Sequence, residues 1–189
     1  MTRMACDIAP TPLPLMAETM IAAIPVLETD RVILRAPRLE DFATYAEITA
    51  SPRGVFLDVP AREDAWYDFC AMVANWTLRG HGVWTITTRD GGTVQGFVLI
   101  GFEPGDEAPE LGFMLTDGAE GSGIAFEAAQ AARAHALGTS GLRDLVSYVD
   151  AGNARSIALA KRLGAPRDGD LRDGKAITIR LRHAGKAGI

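Results

Sequence analysis

Hydrophobic and polar positions follow two different periods along this chain, and the switches between them mark the elements. From Arg31 to Ala36, Val32, Leu34 and Ala36 alternate with Arg31, Ile33 and Arg35, the two-residue period of a strand. Next, Phe42, Tyr45, Ala46 and Ile48 recur at helical spacing, and Pro52 and Gly54 punctuate the end. A second helix is predicted from Arg62 to Arg79. Trp66, Phe69, Val73 and Trp76 share one face, Glu63 and Asp64 suit the positive N-terminal end, and Gly80 closes it. Residues 83–102 read as two strands around Asp90-Gly91-Gly92, where glycine supplies the positive φ that a tight turn requires.

The pattern continues with a strand at Glu110–Leu115, a glycine-rich loop and an alanine-rich helix from Ile124 to Leu137. A strand at residues 144–149, a helix from Asn153 ended by Gly164, and a last strand at residues 175–181 complete the chain. The order is β-α-α-β-β-β-α-β-α-β. A mixed sheet with helices on both faces buries these apolar surfaces, which predicts one α/β (α+β) domain. Its expected span is residues 25–184, with an N-terminal arm at 1–24 and a tail at 185–189. Pro10, Pro12 and Pro14 block regular helix in the arm, leaving one or two helical turns from Leu15 onward.

Composition narrows the function classes. Of 189 residues, 48% are hydrophobic and 23% charged, which describes a globular chain with a real core. The net charge of -5 gives no cationic field for a phosphate backbone, so nucleic acid is not an expected partner. No apolar run reaches the roughly 20 residues of a membrane helix. The N-terminal segment lacks the continuous apolar stretch of a signal peptide, because prolines, Asp7 and Glu18 interrupt it. Cys6 and Cys70 form no CxxC pair and have no histidine at metal-ligand spacing. Free thiols in a reducing cytoplasm and no metal site are expected.

Candidate chemistry concentrates between Glu110 and Gly164. Gly121-Ser122-Gly123 links a strand directly to a helix. Glycine lets backbone approach a ligand closely, and the first helical amides have no internal partner. With the helix dipole, they make a phosphate cradle. A plain tight turn satisfies the same pattern. A dinucleotide fold would need a third glycine where Phe126 stands, and it would not follow antiparallel strands.

Three segments in order point further. "ELGFMLTDGAEGSGIAFEAA" resembles the central motif of the GNAT acetyltransferases, Q/R-x-x-G-x-G/A, carried here by Glu120, Gly121, Ser122, Gly123, Ile124 and Ala125. "VDAGNARSIALAKRLGA" is similar to the family's second motif, with Asn153, Ser156, Leu163 and Gly164 at its marked positions. "LETDRVILRAPRLEDF" resembles the opening of the subgroup containing ribosomal-protein N-terminal acetyltransferases. The resemblance covers about residues 26–182.

The resemblance implies a sheet splayed between two central strands, with the pantetheine arm of acetyl-CoA in the gap. Backbone of Phe113, Met114 and Leu115 and the side chain of Asn153 would hold that arm. The amides from Glu120 to Ala125 would hold the pyrophosphate. Ser156 would lie near the thioester sulfur, and a backbone N–H near Leu115 would meet the charge on the carbonyl oxygen. The implied reaction is direct attack of a primary amine, on a small molecule or a protein N-terminus, by a monomer or homodimer. Two positions depart from the pattern. Glu120 puts an acid at the Q/R position, and Ala160 replaces a tyrosine that many members use to protonate the leaving thiolate. Ser156 is the nearest substitute. A non-catalytic acyl-CoA-binding module and a nucleotide-dependent oxidoreductase are the competing classes.

Several residues carry both a chemical and a plain reading. Glu110 is a candidate general base or a solvated carboxylate at a strand start. Asn153 is a cofactor ligand or simply a helix N-cap. His81 and Trp84 are candidates for the acceptor pocket, against a turn residue and a core residue. Tyr45, Phe56, Asp58 and Trp66 fall where relatives shape acceptor sites, against plain aromatic core. His135 and His183 are expected at the surface, and Lys161 and Arg162 on a solvated helix face.

Overall fold

The computed structural model describes residue 12 and residues 14–57, 59, 61–90, 92–173 and 176–184. Asp58, Gly91, Cys6 and the expected tail lie outside the described residues. The helices are α1 (Leu15–Ala23), α2 (Phe42–Ala50), α3 (Arg62–Arg79), α4 (Ile124–Gly138) and α5 (Ala154–Arg162). The strands are β1 (Leu27–Glu28), β2 (Val32–Arg35), β3 (Val83–Thr88), β4 (Val94–Gly101), β5 (Glu110–Leu115), β6 (Leu145–Asp150), β7 (Arg167–Asp173) and β8 (Ala176–Ala184). They form one sheet in the order β1-β2-β3-β4-β5-β6-β8-β7.

Every neighbouring pair is antiparallel except β5 and β6. Those two run parallel and register at a single pair, Glu110 opposite Val146, before parting. On its other edge β5 is paired along its whole length, from Gly101–Glu110 to Gly96–Leu115. Beyond Glu110 the Leu111 carbonyl on the β6-facing edge of β5 accepts from the Ser147 hydroxyl of β6 at 2.6 Å, and no backbone pairing joins the two strands further along. A bulge at Gln95 of β4, opposite Ile86 and Thr87 of β3, adds twist beside this region. Gly96 faces β5 there, where a Cβ would lie 2.2 Å from the Met114 carbonyl oxygen.

The two faces are covered differently. α4 packs Ala128, Ala129, Ala132 and Ala136 onto Trp84, Ile86, Val98 and Ile100. Small side chains let that helix approach the sheet closely. On the opposite face α2 and α3 bring Phe42, Tyr45, Phe69 and Met72 against Phe97, Leu99 and Met114. Edge-on contacts of Phe97 with Tyr45 and Phe69, at centroid distances of 5.6 and 6.1 Å, add about 1 kcal/mol each beyond burial. Alternation along β5 puts Glu110, Gly112 and Met114 on this second face.

Some expectations need correction. β7, with the sequence RDGDLRD, has no apolar period, yet it is a full strand on the edge of the sheet. Pairing with β8 supplies its backbone bonds, and Asp168 accepts from Arg182 Nε at 2.6 Å. His183 is not solvated. It follows Ile179 and Leu181 on the buried face of β8 and is 6% exposed. Its Nε2 lies 3.0 Å from Ser147 Oγ, and burial, with Arg133 adding to it, pushes its pKa down to about 4. His135 is half-buried, with its ring edge-on to Trp84 at 5.8 Å.

Candidate active site

The parting of β5 and β6 opens two cavities that share Phe56, Leu57, Phe113, Met114, Asn153, Ser156 and Leu159. The larger, about 450 Å³, is also lined by Glu110, Gly112 and Ser147. The smaller, about 200 Å³, adds Leu115, Glu120, Gly121 and Ala125. Residues 110 to 156 thus meet because one strand pair separates.

The loop before α4 is built as a turn that only glycine accommodates easily. Gly121 has φ +69 and Gly123 has φ +86, in the left-handed region. Gly123 is the N-cap of α4, and the Ile124 amide donates to Ser122 Oγ at 3.4 Å. Ser122 Oγ donates back to the Ala119 carbonyl at 2.5 Å. Arg31 braces the loop from β2's approach, donating from Nη1 to the Ser122 carbonyl at 2.7 Å and pairing with Glu127 at 2.7 Å. Ile124 turns its side chain into the core, so only its backbone faces outward chemistry.

Glu120 is partnered. Its carboxylate accepts from Arg155 Nη1 at 2.7 Å, across from α5. The negative charge at the Q/R position is thereby offset, and Arg155 was not among the residues the motif singled out. Asn153 caps α5, its Oδ1 accepting from the Ser156 amide at 3.1 Å. The plain reading of Asn153 holds, and its side-chain NH₂ remains available as a donor. Ser156 is half-buried and lines both cavities, and its hydroxyl makes no hydrogen bond to the described residues.

Glu110 lies where the strands separate. Its Oε1 accepts from the Tyr148 amide at 3.2 Å. Burial pushes its pKa up to about 8; the Tyr148 bond opposes the rise, and Asp106 and Glu103 reinforce it. A carboxyl poised near neutrality suits proton transfer. Tyr45, Phe56 and Asp68 line the same cavity, whereas His81 and Trp84 do not. His81 is buried with Nδ1 2.7 Å from the Ile100 carbonyl, and Trp84 is fully buried core whose Nε1 donates to Pro25. Trp66 packs on Phe42 at 5.1 Å outside the cavity lining. Lys161 and Arg162 are exposed, as expected, with the Arg162 guanidinium over the Phe126 ring at 4.6 Å.

The cavity, the free strand edge and the glycine-capped helix describe a fold with known relatives. Residues 31–166 match the model of the acetyltransferase (GNAT) domain. The chain belongs to the GNAT acetyltransferases. This GNAT chain is similar to an acetyltransferase from Agrobacterium tumefaciens str. C58, at 38% identity over 83% of this chain and 94% of that one, with a TM-score of 0.77. It is also similar to a protein from Bordetella pertussis assigned to the GnaT family, at 28% identity over 85% and 99%, TM-score 0.71. The fold is shared with the RimL ribosomal L7/L12 alpha-N-protein acetyltransferase in complex with coenzyme A, at 17% identity over 87% and 100%, TM-score 0.70. This GNAT chain is accordingly an acyltransferase.

Proposed function

We propose that the protein moves an acetyl group from acetyl-CoA to a primary amine, and that it does so by direct attack in the cleft between β5 and β6. The observation that carries this reading is the coexistence of Glu110 and Ser156 in one cavity beside the unpaired edge of β5. Acetyl-CoA, when bound, supplies the activated thioester.

The residues present fit that co-substrate. The edge of β5 at Phe113–Leu115 offers unpaired N–H and C=O groups, and the Asn153 NH₂ is a further donor, for the amides of pantetheine. The amides from Gly121 to Ala125 sit at the positive end of α4 and would hold the pyrophosphate. Glu110 in its ionised form takes a proton from the attacking ammonium, directly or through one water. The Ser156 hydroxyl donates a hydrogen bond to the leaving sulfur and stabilises it as the thiolate, in place of the tyrosine absent at Ala160, and the thiolate takes its proton from water. Cys70 lines neither cavity, so no cysteine nucleophile is needed among the described residues. An α-amine, with a pKa of about 8, deprotonates more cheaply than a lysine at about 10.4. A protein N-terminus and a small weakly basic amine therefore both suit the base. A cytoplasmic location belongs to the same reading.

A thiol-release screen over amines and N-terminal peptides tests it. Release of coenzyme A matched by acetylated amine is expected. Saturable acetyl-CoA binding with no release from any amine would overturn it.

A further inference from the structure

The larger cavity has a pronounced charge pattern. Asp64, Asp68, Glu103, Glu110 and Asp150 reach its lining, and no lysine, arginine or histidine does among the described residues. Met72, Leu99 and Phe56 add apolar surface to the same lining. The acids do not stand alone on a surface, because the same cavity holds Ser156 and the unpaired edge of β5, where the acetyl group must be delivered. Glu110 uses one oxygen on the Tyr148 amide, and its other oxygen has no hydrogen bond to the described residues.

Resting on the proposed amine acetylation, we infer that the acceptor carries a second positive charge, separated from the attacking nitrogen by an apolar spacer. The attacking ammonium sits by Glu110, the spacer lies along Met72 and Leu99, and the second cation meets Asp68 and Glu103. The Tyr45 hydroxyl donates to Asp68, which fixes that carboxylate on α3 while leaving it further lone pairs.

Electrostatics supports the assignment. Burial raises the pKa of Asp68 and of Glu103, and Asp68 and Asp106 raise Glu103 further. Like charges gathered in a partly desolvated space are unfavourable until a counter-charge arrives. A dication provides it. Its arrival near Glu110 also favours the ionised form of that carboxyl, so the base is switched on by the acceptor it serves. The apolar surface that Met72 and Leu99 give the same lining suits methylene groups better than a polar linker.

Acceptor pairs matched in length and differing in charge test this: putrescine against n-pentylamine, and an N-terminal Ser-Lys peptide against Ser-norleucine, each followed by thiol release. The charged member of a pair is expected to show kcat/KM at least about tenfold higher, in line with one to two well-placed ion pairs. In the Asp68→Asn/Glu103→Gln double variant the preference should collapse toward unity. The acetyl-CoA-induced rise in Tm checks that this variant is folded. Preference in the amine pair assigns the acceptor to small diamines, and preference in the peptide pair alone assigns it to a protein N-terminus with a basic neighbour. Equal efficiency within both pairs, or a preference that survives the double substitution, overturns the inference while leaving amine acetylation intact. Absence of thiol release from every acceptor overturns both.

Discussion

At the residue scale, the proposed chemistry falls to Glu110 and Ser156. The Glu110 carboxyl titrates near 8 in the folded protein, so below that pH most of it is protonated. Wild-type kcat/KM should rise with pH and level off above about 8, where the base is ionised. Glu110→Gln must wait for free amine instead, so with an alkylamine acceptor, whose pKa lies near the lysine value of about 10.4, its rate should keep climbing toward the amine's own pKa. The deficit of the variant then stays constant below pH 8 and narrows above it, and a pH–rate profile of both proteins checks this. A deficit that is constant at all pH values would leave Glu110 with a positioning role only. Stability gives a second, opposite-signed readout. The unfolded chain ionises this carboxyl near the ordinary glutamate value of about 4.3. Its raised folded pKa means that stability is lost as pH climbs from there toward 8. Glu110→Gln should remove that decline, visible as a Tm gain over wild type at pH 8 that is absent at pH 4.

Ser156 makes a sharper prediction. The α5 amide at this position is already satisfied by Asn153, and the Ser156 hydroxyl has no partner to lose among the described residues. Ser156→Ala should therefore keep Tm and acetyl-CoA affinity, while kcat falls roughly 10- to 100-fold. Asn153→Ala should behave differently, costing about 1 kcal/mol of stability through the lost cap. Measuring Tm, affinity and single-turnover rate together separates the two. A fully active Ser156→Ala protein would leave water as the donor to the thiolate.

At the element scale the decisive piece is the turn into α4. Gly123 combines φ +86 with little room, since a Cβ there would lie 3.3 Å from Arg31 Nη2. Gly123→Val should abolish acetyl-CoA binding in a calorimetric titration while circular dichroism still reports a folded protein. Gly118 has an ordinary φ and nothing within 4 Å of where a Cβ would stand, so Gly118→Ala should bind normally. Unaltered affinity in Gly123→Val would reduce the loop to a turn. This element was legible in the sequence because Gly121 and Gly123 stand immediately before the alanine-rich helix, although a short 3-10 turn at Asp117–Ala119 separates them from β5. β7 was not, because its charges are balanced by contacts that no local period shows: Asp168 pairs with Arg180 and Arg182 of β8, and Arg167 with Asp170 in β7 itself. The burial of His183 was readable in principle from its two-residue step after Ile179 and Leu181.

At the scale of the whole molecule, many of the residues that the motifs singled out meet at one cleft. Phe113, Met114, Leu115, Gly121, Ala125, Asn153 and Ser156 do converge. The acceptor side was harder to read, because it is assembled across the fold. Asp68 comes from α3, Tyr45 from α2 and Glu103 from the loop after β4, and no local spacing connects them. The i, i+4 pair Asp64 and Asp68 was a faint signal, since it sets two acids on one face of α3. The Arg155–Glu120 pair, likewise formed between distant segments, explains why an acid is tolerated beside the helix N-terminus.

Direct transfer at the β5–β6 cleft is open to a single-turnover experiment. Enzyme in excess is mixed with acetyl-CoA labelled on the acetyl group and a saturating amine, quenched in denaturant, and the label is partitioned between protein, coenzyme and amine. Label is expected to pass from coenzyme to amine with none trapped on protein at any time, and Glu110→Gln at pH 8 should slow this passage without changing its route. Label that appears on the protein before the amine, or that stays on the coenzyme with every amine tried, would contradict direct transfer.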